Sequence, residues 1–223
     1  MKQKRIKKIP LIIFLVFLML ISCKSAHAQT ILFDPAEIYI GTTFGASGSM
    51  ILFNPTVRQL PLLAYNGGIS FRYITQKNVG LQVELNYSQR GWEEEGSKYA
   101  RRLNYFEMPF LTHLYLGKTH RFIVNIGPKV SYLFNESVLV NNTENSEAEQ
   151  HVKPVYFPFD YGLAIGTGYN LHTRKAGVFQ LELRAYYGLS DVFANTKSDY
   201  FAASNHFNAA LNIGWYFQLT GKE

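Results

Sequence analysis

Two pairs of side chains in this chain have the residue types of a hydrolytic centre. Ser204 and His206 are two positions apart, and on a β-strand such residues point to the same side, about 7 Å apart along the chain. A serine next to a histidine base is the beginning of a nucleophilic centre. Glu107 and His113 form a weaker second pair. Neither pair has a visible third residue to orient the histidine, so the sequence favours a non-enzymatic protein and keeps an outer-membrane lipid-modifying or hydrolytic enzyme as the lesser alternative.

Metal and cofactor chemistry receives little support from the residue types. The single cysteine, Cys23, lies near the N-terminus, ahead of the predicted folded domain. The acidic run at 93–95 gives no ligand geometry, and a solvated loop is the simpler interpretation. We therefore expect no metal site and no cofactor.

The N-terminus has the layout of an export signal. A basic start is followed by the apolar run 9–21 and by Ala26-His27-Ala28. This pattern predicts a secretory signal peptide over 1–28 and a folded domain over 29–223. Two alternatives stay open. In the first, Leu20-Ile21-Ser22-Cys23 is a lipoprotein signal, cleavage occurs before Cys23, and Cys23 then carries lipid. In the second, the apolar run is retained as an anchor.

The charge of the chain resides largely in this predicted leader. Residues 1–28 carry five lysines, Arg5 and no acidic residue, which equals the formal net charge of +6 of the whole chain. The remaining domain is therefore formally neutral. A neutral domain gives no support to a nucleic-acid surface, and we expect no nucleic-acid partner.

Alternation of apolar and polar residues recurs along the rest of the chain. In the stretch 205–219, for example, Leu211, Ile213 and Trp215 alternate with Asn212 and Gly214. A period of two residues predicts β-strands. Eight such runs occur, at about 36–46, 64–74, 79–90, 103–116, 120–134, 157–171, 178–189 and 205–219. Most reach the ~9–11 residues of a membrane-spanning strand, whereas strands of globular proteins usually have about 5–6.

Short and long connections alternate strictly between these runs. The short ones are 75–78, 117–119 and 172–177, and the long ones are 47–63, 91–102, 135–156 and 190–204. Outer-membrane barrels have this asymmetry, with short periplasmic turns and long extracellular loops. The sequence thus predicts an all-β fold, an eight-stranded antiparallel up-and-down transmembrane β-barrel in the cell outer membrane. A soluble β-sandwich is the alternative.

The polar face of the strands is then the barrel interior. Its ionisable residues form a predicted polar network, in which basic and acidic residues balance with histidines neutral. Its members are Arg72, Glu84, Arg90, Glu107, His113, Lys129, Asp160, Glu182, Arg184 and His206. Eight strands enclose a space that side chains can fill, so we expect a largely closed polar lumen.

Aromatic residues near the ends of the runs suggest the interfacial girdles of a membrane barrel. The predicted girdle residues are Tyr87, Trp92, Tyr105, Tyr132, Tyr169, Tyr187 and Trp215.

Three segments resemble the PorT-type outer-membrane β-barrel family of the Bacteroidota. They are residues 67–92, 103–117 and 122–134, and Tyr105, Glu107, Met108 and Pro109 match a family strand that reads aromatic-x-acid-apolar-Pro. The resemblance covers roughly the whole predicted domain. It implies an outer-membrane barrel, and it offers a role linked to type IX protein secretion as an alternative to a structural or interaction role.

The last run also has the features of an assembly signal. Asn212, Gly214, Phe217 and Leu219 resemble the terminal β-signal that the barrel-assembly machinery reads, although Thr220 to Glu223 follow it. We expect this strand to close the barrel against the first one. The expected partners are therefore outer-membrane lipid, the assembly machinery, and a protein bound through the loops 91–102, 135–156 and 190–204.

Overall fold

The computed structural model describes residues 36–96, 98–141, 148–197 and 199–220. Nine strands and one short helix make up these residues. The strands are β1 (Glu37–Asn54), β2 (Gln59–Leu60), β3 (Leu62–Gln76), β4 (Val79–Glu94), β5 (Tyr99–Gly117), β6 (His120–Asn141), β7 (Phe159–Thr173), β8 (Gly177–Asp191) and β9 (Ala203–Thr220), and the helix is α1 (Glu149–Val152). In this part of the chain no helix is long and apolar enough to cross a membrane. The predicted signal peptide, 1–28, lies outside the described residues and stays a prediction.

Eight of the strands form a closed antiparallel ring. Each long strand pairs with its neighbours in the chain, β4 also pairs with β5, and β1 pairs with β9. The closing seam runs from Ile38 opposite Thr220 to Asn54 opposite Ala203. The two-residue β2 pairs only with the last residues of β4, Glu93 and Glu94, and adds no strand to the ring. The predicted eight-stranded up-and-down barrel and its closure by the last strand are therefore confirmed.

Residues of each strand alternate between an exposed outer face and a buried inner face. In β9, Ile213 is 64% exposed while its neighbour Asn212 is 3% exposed. This arrangement is the reverse of that in a soluble protein, because here the apolar side chains lie on the outside and the polar ones inside. It suits a bilayer, where every backbone polar group must be bonded within the protein and a closed ring leaves no free strand edge.

The strands extend well beyond their predicted ends on one side of the barrel. The predicted loop 91–102 is mostly strand, since β4 reaches Glu94 and β5 begins at Tyr99. The other predicted loops shorten as well: 47–63 loses residues to β1 and β3, 135–156 to β6, and 190–204 to β8 and β9. Apolar–polar alternation fades in these extensions because the inward residues are also apolar there, as at Ile51, Phe53 and Trp92, whereas backbone pairing continues.

Tight turns join the strands on the opposite side. Only Lys77 and Asn78 separate β3 from β4, and Asn78 has a φ of 72°. Asparagine tolerates this left-handed conformation better than most residues, so it suits a two-residue hairpin. Strands β5 and β6 are likewise joined by two residues, and β7 and β8 by three.

The predicted aromatic girdle needs one correction. Tyr87, Tyr132, Tyr169, Tyr187 and Trp215 are exposed on the outer face, whereas Trp92 and Tyr105 are buried in the interior. The reason is strand parity. Trp92 lies two residues after the inward Arg90, and Tyr105 lies two residues before the inward Glu107, so both must face the lumen.

Candidate functional site

All ten residues of the predicted polar network face the barrel interior. Nine are buried, and Arg184 is half-buried. Glycines on the same face make room for them. A Cβ atom at Gly166 would overlap Glu182, and one at Gly188 would come within 3.1 Å of Asp160 Oδ1. Small inward residues therefore let large charged side chains interdigitate in a narrow barrel.

One cluster surrounds Arg90 on the side of the long loops. The Arg90 guanidinium bonds to both Glu107 and Asp160. Lys129 Nζ lies 3.0 Å from Glu107 Oε2, and the Tyr186 hydroxyl donates to Asp160 Oδ2 at 2.7 Å. Each buried carboxylate thus has a cation and at least one further interaction. This is the condition under which ion pairs are tolerated away from water.

A second cluster lies towards the side of the short turns. Arg184 bonds to Glu84 at 2.7 Å and to Glu182 at 2.9 Å. Arg72 has no carboxylate partner among the described residues. It donates instead to the amide oxygens of Gln82, at 2.8 Å, and Gln180, at 2.6 Å, and its guanidinium stacks 4.2 Å from the Tyr216 ring centroid.

Neutral side chains link this second cluster to His113. The Asn125 amide donates to Glu182 Oε1 at 3.0 Å, and Asn125 Oδ1 lies 2.7 Å from His113 Nδ1. Glu84 accepts a further bond from Asn86 at 2.8 Å. The four basic and four acidic residues of the interior, with these amides, therefore form compact bonded clusters around the centre of the barrel.

The structure does not assemble either predicted catalytic pair. Ser204 Oγ accepts a hydrogen bond from the Phe193 N–H at 2.9 Å, and His206 Nε2 lies 3.0 Å from the Tyr105 hydroxyl. Glu107 is engaged by Arg90 and a lysine, while His113 bonds to an asparagine. Within the described ranges, no hydrogen bond joins Ser204 to His206 or Glu107 to His113.

An aromatic plug fills the interior beyond the Arg90 cluster, at the end with the long connections. We use this name for a buried cluster drawn from strand ends and from the 192–202 loop. Its members are Ile51, Phe53, Trp92, Tyr99, Leu103, Tyr105, Val192, Phe193 and Phe201. The ring centroids of Phe53 and Phe201 are 5.0 Å apart, and those of Phe53 and Trp92 are 5.6 Å apart and nearly perpendicular. The plug separates the charged clusters from the outer solution.

Sequence reasoning missed the plug because two of its aromatic residues lie in the connection 190–204, which was predicted only as a long extracellular loop. Val192-Phe193 and Phe201 are apolar residues within an otherwise polar connection. That composition is the one signal in the sequence that could have indicated a loop folded into the barrel.

A strap formed by 148–158 lies over the plug. His151 stacks on Tyr99 with ring centroids 3.8 Å apart, and its Nε2 lies 2.8 Å from Glu94. Lys153 Nζ bonds to Asp199 at 3.1 Å. Hydrogen bonds from Thr196, together with Lys153, lower the pKa of the Asp199 carboxyl. These contacts hold two long connections together across the outer end.

The end with the short turns is a hollow instead. Its volume is about 1140 Å³, and Tyr39, Tyr115 and Val178 lie at its base. Five basic residues line it, from the three short turns and the start of β6, and Glu37 is the one acidic residue among its described lining residues. The turns were predicted, but their combined charge was not, because the cations are far apart in the sequence.

The four predicted assembly residues occupy both faces of β9. Asn212 faces inward and accepts a hydrogen bond from Asn66 Nδ2 at 2.9 Å. Gly214 also faces inward, whereas Phe217 and Leu219 are exposed on the outer face. All four pair with or lie beside β1 at the seam. The structure gives their positions and leaves their recognition by the assembly machinery a prediction.

A family model for the outer membrane protein β-barrel domain matches residues 27–194, about three-quarters of the chain. The chain belongs to this family. Its location is therefore the cell outer membrane, and the exposed apolar faces of its strands contact lipid. In such barrels the short turns face the periplasm and the long connections face the outside, so the hollow is periplasmic and the plug extracellular.

Known structures resemble the chain in fold at low sequence identity. OprG from Pseudomonas aeruginosa is 12% identical, with 83% of this chain and 97% of OprG covered and a TM-score of 0.48. Neisserial surface protein A is 10% identical, with 82% and 99% covered and a TM-score of 0.47. The outer membrane enzyme PagL is 14% identical, with 79% and 98% covered and a TM-score of 0.45. No curated protein matches the chain.

Proposed function

We propose that this protein is a non-enzymatic structural and interaction component of the outer membrane whose interior does not conduct solutes. The aromatic plug carries this proposal. It fills the extracellular end of the barrel, and beneath it Arg90 is bonded to both Glu107 and Asp160. A solute would have to displace both layers, and breaking a buried ion pair costs about 3–5 kcal/mol.

Single-channel recording on the purified protein in planar bilayers tests the closed interior. We expect no steady conductance from the wild-type barrel. A stable, large conductance in most insertions would refute the proposal. Trp92→Ala, which removes the indole from the plug, is the informative comparison, since brief openings in this variant alone would identify the plug as the barrier.

Interaction is the role that the extracellular strand extensions support. Strand β6 pairs with β5 as far as Asn141, but its pairing with β7 ends at Tyr132 opposite Phe159. The Leu133 N–H still donates to the Pro158 carbonyl at 2.7 Å, and from Phe134 to Val140 no strand among the described residues pairs with this edge of β6. Exposed strand edges accept an added strand from a partner protein. We propose that the extracellular partner binds at this edge.

A photo-crosslinking residue in place of Val138, on the edge, tests this role in intact cells. The matched control replaces Tyr132, an exposed residue of the same strand that pairs with Phe106 on β5 and with Phe159 on β7. We expect a discrete crosslinked protein from position 138 only. Equal crosslinking from both positions, or none from either, would contradict binding at the edge.

The PorT-type resemblance supports a second candidate, a part in type IX protein secretion. The segment that carries it lies in β5, where Tyr105 and Glu107 face the interior and Met108 faces lipid. Deletion of the gene tests this candidate directly. Loss of type IX cargo from the medium, restored by the wild-type gene, supports it, and unchanged secretion contradicts it.

An enzymatic role has weaker support, because the two members of the predicted pair, Ser204 and His206, each bond to another partner and not to each other. Comparison of the lipid A profile and of esterase activity between wild type and Ser204→Ala tests it. We expect no difference. A hydrolytic activity lost in this variant, with the barrel intact on an unheated gel, would overturn the non-enzymatic proposal.

A further inference from the structure

The periplasmic hollow has the size and shape of a binding site for an extended ligand. Its volume of about 1140 Å³ exceeds the ~300–1,000 Å³ of a typical small-molecule pocket. The base includes the rings of Tyr39 and Tyr115 and the side chain of Val178. The three short turns form its rim. A ligand in it would therefore meet an apolar base and a polar edge.

The rim carries an excess of positive charge. Its cations come from each of the three turns and from the start of β6, and they are Lys77, Lys118, Arg121, Arg174 and Lys175. Glu37 bonds to Arg121 at 3.3 Å. None of the other four cations has an ion pair within the described residues. With Glu37 counted, the lining residues have a formal charge of +4.

Unpaired cations make up a larger share of this rim than of the extracellular end, where among the described residues Arg58, Arg101 and Lys153 have an ion pair and Lys98, Arg102 and Lys197 have none. At the extracellular end, Arg101 bonds to Glu136 at 2.7 Å, and Lys153 bonds to Asp199. Acidic residues there slightly outnumber basic ones in the described ranges. The domain is formally neutral as a whole, but its periplasmic end is basic and its extracellular end is slightly acidic.

His172 adds an independent observation at the same place. Its ring lines the hollow and meets the Tyr39 ring edge-on, with centroids 6.1 Å apart. Both ring nitrogens are buried and have no hydrogen-bond partner among the described residues. Buried polar atoms without partners are costly and uncommon, so a ligand that bonds to this ring would be stabilised.

We propose that the hollow binds an acidic peptide segment of a periplasmic protein. Cations on three separate turns require negative charges spaced along a chain, which a single phosphate group does not provide. The apolar base suits aliphatic side chains between the acidic ones. Tyr39, Tyr115 and His172 face the barrel interior, whereas Phe217 and Leu219 of the lining lie on the lipid face, so lipid headgroups reach only that side of the rim. This proposal is independent of the extracellular role.

The experiment uses the full-length protein purified from outer membranes and placed in nanodiscs of neutral lipid. The probe is a short fluorescein-labelled peptide of alternating Asp and Val, followed by fluorescence anisotropy. A peptide with Lys in place of Asp is the control ligand. We expect saturable binding of the acidic peptide alone, weakened as salt rises, because screening reduces attraction between exposed charges.

Two sets of substitutions at exposed positions locate the binding. The first neutralises the rim with Lys77→Gln, Lys118→Gln, Arg174→Gln and Lys175→Gln. The matched control neutralises extracellular cations with Arg58→Gln, Lys98→Gln and Lys197→Gln. We expect the first set to weaken binding by at least about tenfold, as for loss of several attractive charges, and the control set to leave it unchanged. Both proteins must show the wild-type shift between unheated and heated gels.

His172→Phe tests the base of the hollow. We expect this variant to bind the acidic peptide several-fold more weakly than wild type, with the same dependence of binding on salt. The proposal fails if the acidic peptide does not bind, or if both sets of substitutions weaken it equally. It also fails if inorganic phosphate displaces the peptide, or if vesicles containing anionic phospholipid do so, since the site would then recognise phosphate.

Discussion

The two ends of this barrel differ although the same eight strands form both. At the extracellular end, aromatic residues fill the interior, and Arg101 and Lys153 each have a carboxylate partner. At the periplasmic end, a hollow of about 1140 Å³ stays open above Tyr39 and Tyr115, and four of its cations have no ion pair in the described ranges. One end is closed, with half of its described cations in ion pairs, and the other is open and basic.

The connections explain this difference better than the strands do. The loop 192–202 is long enough to bring Phe193 and Phe201 into the barrel, and 148–158 crosses above them. Turns of two or three residues cannot fold back, so their side chains remain at the rim. The end of a narrow barrel is therefore filled or left open according to the length of chain available beyond its strands.

The largest expected effect comes from removing the cation beneath the plug. Arg90→Met leaves Glu107 and Asp160 without their main partner in the interior. Such a loss costs about 3–5 kcal/mol of unfolding free energy. Urea unfolding, followed by the gel shift of the folded barrel, measures it.

Arg58→Met is the control for that measurement, because the Arg58 side chain is 89% exposed. Its stability is expected to stay within about 0.5 kcal/mol of wild type. Equal stability of the two variants would show that the interior ion pairs contribute nothing to holding the barrel together.

A somewhat smaller effect is expected from the plug itself. Phe193→Ala removes a ring that stacks on both Phe53 and Phe201, and it should cost about 3 kcal/mol. It should also expose the 192–202 loop to added protease in intact cells. Phe157→Ala, at an exposed ring of the same end, should do neither, and cleavage in both variants would contradict a specific role for the plug.

The periplasmic end offers a test of assembly. Phe217→Asp places a carboxylate on the lipid face of β9, and Gly214→Asp forces a side chain against the Tyr216 ring, 2.8 Å from the added Cβ. We expect lower outer-membrane yield from both, measured by immunoblotting of membrane fractions. Phe122→Asp, at an exposed aromatic near the periplasmic end of β6, is the matched control.

If Phe122→Asp lowers the yield as much as Phe217→Asp does, the loss reflects a charge in lipid and not recognition of the last strand. Normal yield of both β9 variants would remove the assembly-signal hypothesis altogether.

The smallest expected effect is a pH dependence at the extracellular strap. The pKa of Asp199 is lowered in the folded protein by Thr196 and Lys153. A lowered carboxyl pKa stabilises the fold above the unfolded-state pKa, and this contribution is lost as the pH falls through the folded-state value. Protease sensitivity of the 192–202 loop should therefore rise in acid, and Asp199→Asn should show that sensitivity already at neutral pH. A flat profile in the wild type would contradict it.

Much of the barrel could be predicted from local pattern. Alternation such as that of Leu211, Asn212 and Ile213 reports which face of a strand meets lipid, because side chains on a strand change face at every residue. The same parity placed Arg90 and Glu107 inside correctly. It also required Trp92 and Tyr105 to be inside, yet their residue type suggested a girdle, and that prediction was wrong.

The strand ends and the loops could not be predicted in this way. Beyond Arg90 on β4 the inward Trp92 is apolar, and beyond Phe134 on β6 polar and apolar residues are exposed without alternation. Alternation therefore no longer marks the strand there, although backbone pairing continues. The connection with Phe193 and Phe201 was predicted only as a long extracellular loop, because its pattern of alternation gives no sign that part of it folds into the barrel. The polar residues around Phe193 and Phe201 indicate only the side of this connection that faces water.

The apolar outer face, the balanced set of interior charges and the tight hairpins at one end all follow from the amino-acid sequence. These are properties of single strands and turns, and local chemistry decides them. Only the tertiary structure shows which charges bond, as Arg90 does with Asp160 seventy residues away. It also brings Lys77, Lys118 and Arg174 to the rim of one hollow. Those juxtapositions depend on the register and closure of the whole ring, which no single stretch of sequence contains.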